Sequence, residues 1–339
     1  MTLLMMLSAF GGRPSVVDLE GGTLRVTGGD VTIFDGREVR NGRVVIGAGD
    51  YVVEVRENGG TCLTIGDNTE LIIDGTLRLA PNAFEQYDMI RIVGKGVKVR
   101  GKGCLVGDRT THRGKGGEWG MGIYVRGARE VTLSGVRVKD CWGDCVYVGR
   151  KAGRVTIENC SLEWGRRQGI SVTGADSVVV RNCTISNVGG TNPQYAIDVE
   201  PNRGCSVNYV RIEGVVARDC EGGFRAIVPK GGKGNATIGV VEIVNSHVSA
   251  KSRYPIHLCA CREATVEGCV VEASNENPAI YSNYVEDLRV TGNRLIVDRG
   301  LVASMKNGVK RLVGKGDCST IRVVHGSSRG VRDNRVVEN

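Results

Sequence analysis

One short strand pattern recurs along this 339-residue chain and constrains its fold more than any other feature. The pattern alternates apolar and polar residues, which is typical of a strand with one buried face. A second apolar strand follows each copy, and periods of 20 to 50 residues are typical of repeat proteins. The sequence therefore predicts an all-β, single-domain parallel β-helix, a solenoid of about 10–12 coils with capped ends. The copies are predicted to start at Ile123, Val146, Ile170, Ile197, Ile227, Ile256, Ile280 and Leu301.

The composition suits such a solenoid. Fifty glycines supply turns, while only four Phe and three Trp leave a thin core to Val, Ile and Leu. We predict an N-terminal cap or entry region over 1–50, the β-helix over 51–310 and a C-terminal coil or cap over 311–339.

No apolar run of 18 residues occurs, so no membrane span is predicted. The apolar start lacks a preceding Lys or Arg and a clear cleavage site, so it is not a convincing signal peptide and could equally be an apolar cap that covers the first coil. The positions of the cysteines favour thiols folded in a reducing cytosol, so cytoplasmic synthesis is expected.

Five of the twelve cysteines end the second strand of their coil. Stacking predicts a ladder of small, mostly buried thiols, with Asn245 and Asn293 taking the same place in other coils. Disulfides and a metal site are the competing interpretations, but no CxxC pair with zinc-type spacing occurs. The five are Cys141, Cys160, Cys183, Cys220 and Cys269.

Three polar, Gly-rich excursions interrupt the pattern, at 106–120, 186–196 and 229–239. Insertions in solenoids form loops on one face, often the binding face. The strands beside them carry aromatic and cationic side chains. Aromatic rings offer flat apolar surfaces to sugar rings, and guanidinium groups bind hydroxyls and carboxylates. The predicted substrate-binding residues are Trp119, Tyr124, Trp142, Tyr147, Trp164, Arg166, Arg167, Arg225, Lys230 and His257.

Paired carboxylates indicate glycoside hydrolysis as the first candidate chemistry. Asp144 and Asp198 lie two coils apart, which separates their backbones by roughly 9 to 10 Å. Inverting glycosidases hold their two carboxyl groups about 6.5 to 9.5 Å apart. Glu200 is nearby and outward, so these three rank first. Glu118 and Asp108, with His112 between them in the chain, rank second; for each acid the alternative is a solvated outer face or a turn.

A polysaccharide lyase is the second candidate. Its base would be Lys230, Arg225, His257 or Tyr147, and the substrate carboxylate would be neutralised by Ca²⁺ or Arg. Asp198 and Glu200 are then candidate Ca²⁺ ligands, with Arg166 and Arg167 holding the substrate. No other cofactor is required.

Four segments carry a resemblance to a known family: VGDRTTHRGKGGEWGMGIYV (106–125), DCWGDCVYVG (140–149), RRQGISV (166–172) and AIDVEPN (196–202). The chain resembles, over about 60–300, the right-handed parallel β-helix proteins of the pectate-lyase-like superfamily, most of all polysaccharide-directed members from phage tails and bacterial genomes. That superfamily includes lyases, hydrolases, epimerases and binders. The GDCVYVG run is similar to the DD region of polygalacturonases, but Cys145 stands where the second Asp would be, and no GHG or RIK string occurs.

The resemblance and the net charge of +8 imply an acidic or complex polysaccharide as substrate. The alternative is a non-catalytic phage tail or surface protein that recognises a receptor glycan. An extracellular or virion-associated location follows in either case, with a homotrimer expected if the protein is part of a virion. Nucleic acid is disfavoured as a partner because the basic residues form no single run and the face richest in motifs carries carboxylates.

Overall fold

A computed structural model of the chain describes residues 16–28, 33–228, 235–274, 277–297 and 320–338. In these ranges all named secondary-structure elements are β-strands, numbered β1 to β35 in chain order. The strands pair in parallel. They form three sheets, here called A, B and C, and successive coils pass through the sheets in turn. This is the right-handed parallel β-helix that the sequence predicts. None of the described residues belongs to a helix long and apolar enough to cross a membrane.

Sheet A has twelve strands and carries the candidate site. In spatial order they are β1 (Val16–Asp18), β3 (Glu38–Arg40), β6 (Thr61–Ile65), β9 (Gln86–Ile92), β12 (Trp119–Arg126), β15 (Val146–Gly149), β18 (Ile170–Val172), β21 (Tyr195–Val199), β24 (Gly222–Ile227), β27 (Ile256–Cys259), β30 (Ile280–Asn283) and β33 (Ile321–Val323).

Sheets B and C complete each coil. Sheet B has the twelve strands β2 (Thr23–Val26), β4 (Gly42–Ile46), β7 (Thr69–Ile73), β10 (Lys98–Arg100), β13 (Val131–Ser134), β16 (Ala152–Glu158), β19 (Ala175–Arg181), β22 (Ser206–Glu213), β25 (Thr237–Val244), β28 (Cys261–Glu267), β31 (Val285–Thr291) and β34 (Gly326–Arg332). Sheet C has the eleven strands β5 (Asp50–Val53), β8 (Thr76–Leu79), β11 (Cys104–Val106), β14 (Arg137–Lys139), β17 (Ser161–Glu163), β20 (Thr184–Ser186), β23 (Val216–Cys220), β26 (His247–Ala250), β29 (Val270–Ala273), β32 (Arg294–Val297) and β35 (Arg335–Glu338).

The core is a column of stacked apolar residues on the inner side of each sheet. In sheet A, Ile123, Val146, Ile170 and Ile197 lie in register and are buried, which confirms these predicted repeat positions. Burying one such side chain stabilises the fold by about 1.5–3 kcal/mol. Because equivalent positions stack, the outward residues that alternate with this column are also aligned from coil to coil.

The predicted repeat position Ile227 is wrong by three residues. Phe224 pairs with Ile197 and Ile256, whereas Ile227 pairs with Cys259. A strand has a side-chain period of two, so an error of three residues exchanges the inner and outer faces. Predicted position Leu301 lies outside the described residues, and the residue that pairs with Ile280 is Ile321.

The cysteines are free thiols in the described part of the chain, but they form two groups rather than the single predicted ladder. One group lies at the corner between sheets B and C, and the other lies where sheet C ends. At both corners the chain leaves a short strand through a polar turn, so the local sequences are alike. At the corner between sheets B and C, the residue in register with Cys269 is Ser246, not the predicted Asn245. Asn293 does continue this group and accepts a 2.8 Å hydrogen bond from the Cys269 backbone N–H. The first group contains Cys160, Cys183 and Cys269, and the second, where sheet C ends, contains Cys141 and Cys220.

Strand pairing continues on both sides of the predicted 51–310 segment. Strand β4 pairs with β7 at the N-terminal side, and β32 pairs with β35 at the C-terminal side. Pairing therefore marks no boundary at residue 50 or 310, and the division into caps and β-helix stays a prediction.

Candidate functional site

A continuous row of polar and aromatic side chains follows the outer side of sheet A. Successive strands lie about 4.8 Å apart, so the row is an extended surface along the solenoid axis. We call it the sheet A face. In register order its members are Arg91, Tyr124, Tyr147, Ser171, Asp198, Arg225, His257, Tyr281 and Arg322.

Asp144 precedes β15, and the next coil holds its carboxylate. Ser171 donates a 2.7 Å hydrogen bond from Oγ to Asp144 Oδ2, and Arg167 Nη1 lies 3.2 Å from the same oxygen. The Nε of Arg167 also lies 3.3 Å from Glu118 Oε2. Asp144 is 0% exposed, whereas the Glu118 side chain is 44% exposed. Arg167 therefore separates a buried carboxylate from one at the surface.

Asp198 lies in β21 and is held by both neighbouring coils. Gln168 donates from Nε2 to Asp198 Oδ2 at 2.8 Å, and the Oε1 of Gln168 accepts a 2.6 Å bond from the Tyr195 backbone N–H. Arg225 Nη1 lies 3.4 Å from Asp198 Oδ1 and 3.3 Å from Glu200 Oε2. Asp198 is only 3% exposed, and among the described residues its Oδ1 has no hydrogen-bond partner. One oxygen of this carboxyl group is thus an acceptor, and the other is buried without a hydrogen bond.

Burial gives both aspartates a raised pKa. It raises the pKa of Asp144 to about 6, against the opposing effect of Arg167. It raises the pKa of Asp198 to about 7, where Arg225 opposes the shift and the Glu200 carboxylate adds to it. Both aspartates therefore hold a proton at a higher pH than an ordinary carboxyl group, which is the environment a carboxylic acid needs to act as a proton donor near neutral pH.

The two aspartates are connected through the coil between them. Ser171 of β18 donates to Asp144, and Gln168, which precedes β18, donates to Asp198. The two-coil separation predicted for this pair is therefore present, and it corresponds to roughly 9 to 10 Å along the solenoid axis. Asp198 also lies three residues further along its strand than Tyr195, which is in register with Asp144. Burial alone would lower the pKa of Arg167, but the negative charges of Asp144, Asp198 and Glu118 together raise it above its ordinary value.

Asp198 and Glu200 do not fit the predicted Ca²⁺ site. The Arg225 guanidinium lies within 3.4 Å of both carboxylates, so a positive charge already lies beside each of them. Among the described residues, no group of three His, Cys, Asp or Glu side chains converges as metal ligands do.

Trp142 is packed on both sides of its ring. The His112 ring stacks on it at 4.0 Å between centroids, and the Arg166 guanidinium carbon lies 3.7 Å from the ring centroid. Arg166 also donates to the backbone oxygens of Gly117 and Trp142. The ring faces of Trp142 that were predicted to bind sugar are therefore covered. The stack instead stabilises the loop that precedes β12.

Asp108 lies beneath this stack. Its carboxylate accepts hydrogen bonds from Tyr87 Oη and Asn82 Nδ2 and pairs with His112 Nδ1 at 2.8 Å. The Asp108 and His112 side chains are both fully buried. Asp108, which the sequence ranks second among the candidate catalytic acids, is therefore interpreted as a residue that stabilises the 106–120 loop.

Trp119 and Trp164 are instead exposed at the corner where the chain enters sheet A, at 46% and 45%. Trp164 adopts a φ of +57°, a conformation in which bulky residues are rare. The equivalent residues of other coils, which also have positive φ, are Asp140, Asn187 and Asp219. Strained backbone conformations of this kind cluster at functional sites.

The remaining predicted residues lie on either side of the aspartates. Tyr124 and Tyr147 form an edge-to-face pair at 5.0 Å on the N-terminal side. His257 lies on the C-terminal side next to Arg225, in contact with Tyr254 and Tyr281. Sequence reasoning did not assign Tyr281 or Arg322 to the site. Predicted residue Lys230 lies outside the described residues.

Comparison with known proteins supports the fold. The family model described as right handed beta helix region matches residues 24–191 and 121–339. The SPbeta prophage-derived uncharacterized protein YorA of Bacillus subtilis is 26% identical over 78% of this chain. The chain spans 44% of that relative's length.

Two solved structures share the architecture at low sequence identity. The A-module of the mannuronan C-5 epimerase AlgE4 of Azotobacter vinelandii has a TM-score of 0.53 and 14% identity, covering 90% of this chain and 91% of its own. A tailspike protein of E. coli bacteriophage HK620, in complex with a pentasaccharide, has a TM-score of 0.59 and 10% identity, covering 87% of this chain and 60% of its own. These likenesses show the fold alone.

Proposed function

The chain belongs to the right-handed β-helix family, and on that basis we propose that it binds an acidic or complex polysaccharide along the sheet A face and hydrolyses it. An extended, aligned row of aromatic and charged side chains suits a linear polymer. The pentasaccharide complex of a tailspike with this architecture supports the choice of ligand class.

The observation that carries the proposal is the environment of Asp198. Its Oδ2 accepts hydrogen bonds, while its buried Oδ1 accepts none, and burial raises its pKa to about 7. A neutral carboxylic acid would place its proton on Oδ1, which is buried 3.4 Å from Arg225 Nη1, so this guanidinium would have to move before the proton could reach a substrate. In hydrolysis this proton would pass to the glycosidic oxygen as the bond between that oxygen and the anomeric carbon breaks.

For the second carboxylate we propose Asp144, which would remove a proton from the water that attacks the anomeric carbon. The two-coil separation suits an inverting reaction, in which a water molecule fits between sugar and base. Glu118, which contacts the same guanidinium and is exposed, is the alternative base.

Flanking side chains would position the sugar units. Trp119 and Trp164 offer exposed rings at one side of the face, and Tyr124 and Tyr147 lie before the aspartates. The cationic groups Arg167 and Arg225 would interact with substrate carboxylates beside the aspartates.

A non-catalytic glycan-binding protein is the second candidate. The observation that favours it is the complete burial of Asp144 under Arg167, which would have to move before Asp144 could act on water. We propose an extracellular or virion-associated location for either function, supported by the prophage-derived relative, and a homotrimer in the virion case.

The test is a polysaccharide panel incubated with purified protein at about pH 6.5, between the two raised pKa values, with and without Ca²⁺. We expect new reducing ends without absorbance of unsaturated uronates, and no dependence on Ca²⁺. Unsaturated uronates would instead indicate the lyase reaction, with neutral His257 beside Arg225 as the candidate base. Retention of a polymer without new reducing ends would favour the binding protein.

A further inference from the structure

We propose that Arg126, with the rings of Tyr124 and Tyr147, forms a subsite for one carboxylate-bearing sugar unit on the N-terminal side of Asp144. The inference rests on the proposed glycan binding by the sheet A face. It deepens that proposal by naming the residue that recognises the acidic group of the polymer and the end of the face on which that group lies.

Arg126 extends over the sheet A face from β12. It lies two residues after Tyr124 in the same strand, so both side chains leave the backbone on the outer side. Burial raises the pKa of Tyr124, and the positive charge of Arg126 opposes this rise. Burial also raises the pKa of Asp88 to about 6, where Arg91 and Arg126 oppose the rise. Because Asp88 is in register with Met121, near the start of β12, and Arg126 ends that strand, the guanidinium points back along the strand over the face.

The Arg126 guanidinium is exposed and available to a ligand. In the described part of the chain it makes no hydrogen bond and has no ion pair within 4.0 Å. Asp88 is 3% exposed and is paired with Arg91, whose Nε donates to Asp88 Oδ2 at 2.7 Å. Strands β12, β15 and β18 contain no Asp or Glu, and the coils around them lie wholly within the described range 33–228. A substrate carboxylate would therefore meet a guanidinium whose paired N–H groups match its two oxygens.

Two tyrosine rings form the surface beside this cation. Tyr124 and Tyr147 are neighbours in register and contact each other edge to face, with 5.0 Å between ring centroids. The Tyr147 hydroxyl lies 3.0 Å from Thr173 Oγ1 and accepts a 3.2 Å hydrogen bond from Asn202 Nδ2, so the direction of its ring is fixed by the following coils. Half-buried rings of this kind present an apolar surface with polar edges, which suits the alternating character of a sugar ring.

Gly149 leaves room for this arrangement in the neighbouring coil. It is in register with Arg126 and lies two residues after Tyr147 on the same side of β15. A Cβ at this position would lie 2.6 Å from Thr173 Oγ1 and 2.8 Å from Tyr147 Cε1, well inside the contact distance of about 3.5–4.0 Å between carbon atoms. The Tyr147 ring therefore lies across the Gly149 backbone, and Gly149 has no side chain that would fill the space beside the guanidinium.

The test measures binding in an Asp198→Asn background, so that cleavage cannot remove the ligand. The probes are polygalacturonate, alginate and hyaluronate, each in native and carboxyl-reduced form. We expect Arg126→Gln to weaken binding of the native acidic polymer about tenfold and to leave binding of its reduced form unaffected. Arg126→Lys should retain part of the affinity, because it keeps the charge without the paired donors. Gly149→Val should weaken binding of both forms, because its side chain would displace the Tyr147 ring.

Arg289→Gln is the matched control, because Arg289 is exposed on sheet B and its loss changes the net charge equally. Equal effects of Arg126→Gln and Arg289→Gln on a polymer that still binds would overturn the subsite and leave the proposed function intact. Equal binding of native and reduced polymers by the parent protein would overturn the subsite as well. Melting curves of all variants exclude loss of folding. If polymers bind by the expected pattern but the wild-type protein does not cleave them, hydrolysis fails and the subsite stands; if no polymer binds, both proposals fail.

Discussion

Arg167 Nη1 lies 3.2 Å from Asp144 Oδ2, and this guanidinium lies over a carboxylate that has no contact with solvent. The ion pair couples the core of the β-helix to its outer face. Removing Arg167 would leave the Asp144 carboxylate buried without its ion pair.

We expect Arg167→Met to lower the free energy of unfolding by about 3–5 kcal/mol at pH 7.5, because Asp144 would remain charged or would have to bind a proton. The double variant Asp144→Asn/Arg167→Met should recover most of this loss. Urea unfolding measures both. Arg154→Met is the control, since its ion pair with Glu130 is exposed and should contribute less than about 1 kcal/mol. Equal losses for Arg167→Met and Arg154→Met would refute the buried pair.

Asp198→Asn should lower the rate of polysaccharide cleavage by about 10²–10⁴-fold, because the amide cannot donate a proton to the leaving oxygen. Binding of the polymer should persist. Asp176→Asn, at an exposed position on sheet B, should cleave at the wild-type rate. Reducing-end assays measure the rate, and unchanged turnover of Asp198→Asn would remove this residue from the mechanism.

The cleavage rate should fall as the pH rises through about 7. A general acid is active in its protonated form, and burial raises the pKa of Asp198 to about this value. The rate is measured from pH 5 to 9 with the reducing-end assay. A rate that stays constant across pH 7 would contradict this assignment.

The free energy of unfolding should also change with pH as Asp198 titrates. Because the folded-state pKa of Asp198 is raised, its stabilising contribution is complete below about pH 4 and is lost as the pH rises through 7. Relative to Asp198→Asn, the wild-type protein should lose on the order of 4 kcal/mol of unfolding free energy between pH 4 and 8. Urea unfolding across this range measures the difference, and parallel curves would mean that Asp198 titrates normally.

Trp164→Asn should stabilise the fold by about 1 kcal/mol and weaken glycan binding. Asn tolerates the positive φ that Trp164 adopts, whereas a bulky side chain there costs about 1–2 kcal/mol. Trp119→Asn is the matched comparison: it removes an equally exposed ring from β12 and should weaken binding without a gain in stability. A stability loss in Trp164→Asn would indicate that this ring has a packing role.

The sequence was a good guide to the fold because the apolar column repeats at nearly constant steps. Ile123, Val146, Ile170 and Ile197 follow this rule, and their outward neighbours were assigned correctly. The rule failed at β24, where Phe224 and Ile227 are both apolar and only the alternation of Phe224 and Ala226 around Arg225 distinguishes them. The two cysteine corners were merged for a similar reason, since both end in a small buried residue after a short strand.

The residues of the candidate site were harder to predict from the sequence than the fold. The residue that follows Ile280 occupies the same place as Tyr124 after Ile123, so Tyr281 could have been found by extending the pattern. Arg322 could not, because 41 residues separate Ile321 from Ile280 and the period is lost there. The burial of Asp144 depends on the direction in which Arg167 points, and spacing in the sequence carries no information on that.

The coil that supplies Ser171 and Gln168 also sets a limit on how this site can change. Along the solenoid axis, the backbones that carry Asp144 and Asp198 are separated by a whole number of strand spacings, so their axial distance can shift only in steps of about 4.8 Å. A sequence that gained or lost one coil between them would move the carboxyl groups into a different distance class, whereas substitutions alone adjust the distance only through side-chain lean. In a β-helix, the axial distance between two reacting groups is therefore set by the number of coils between them.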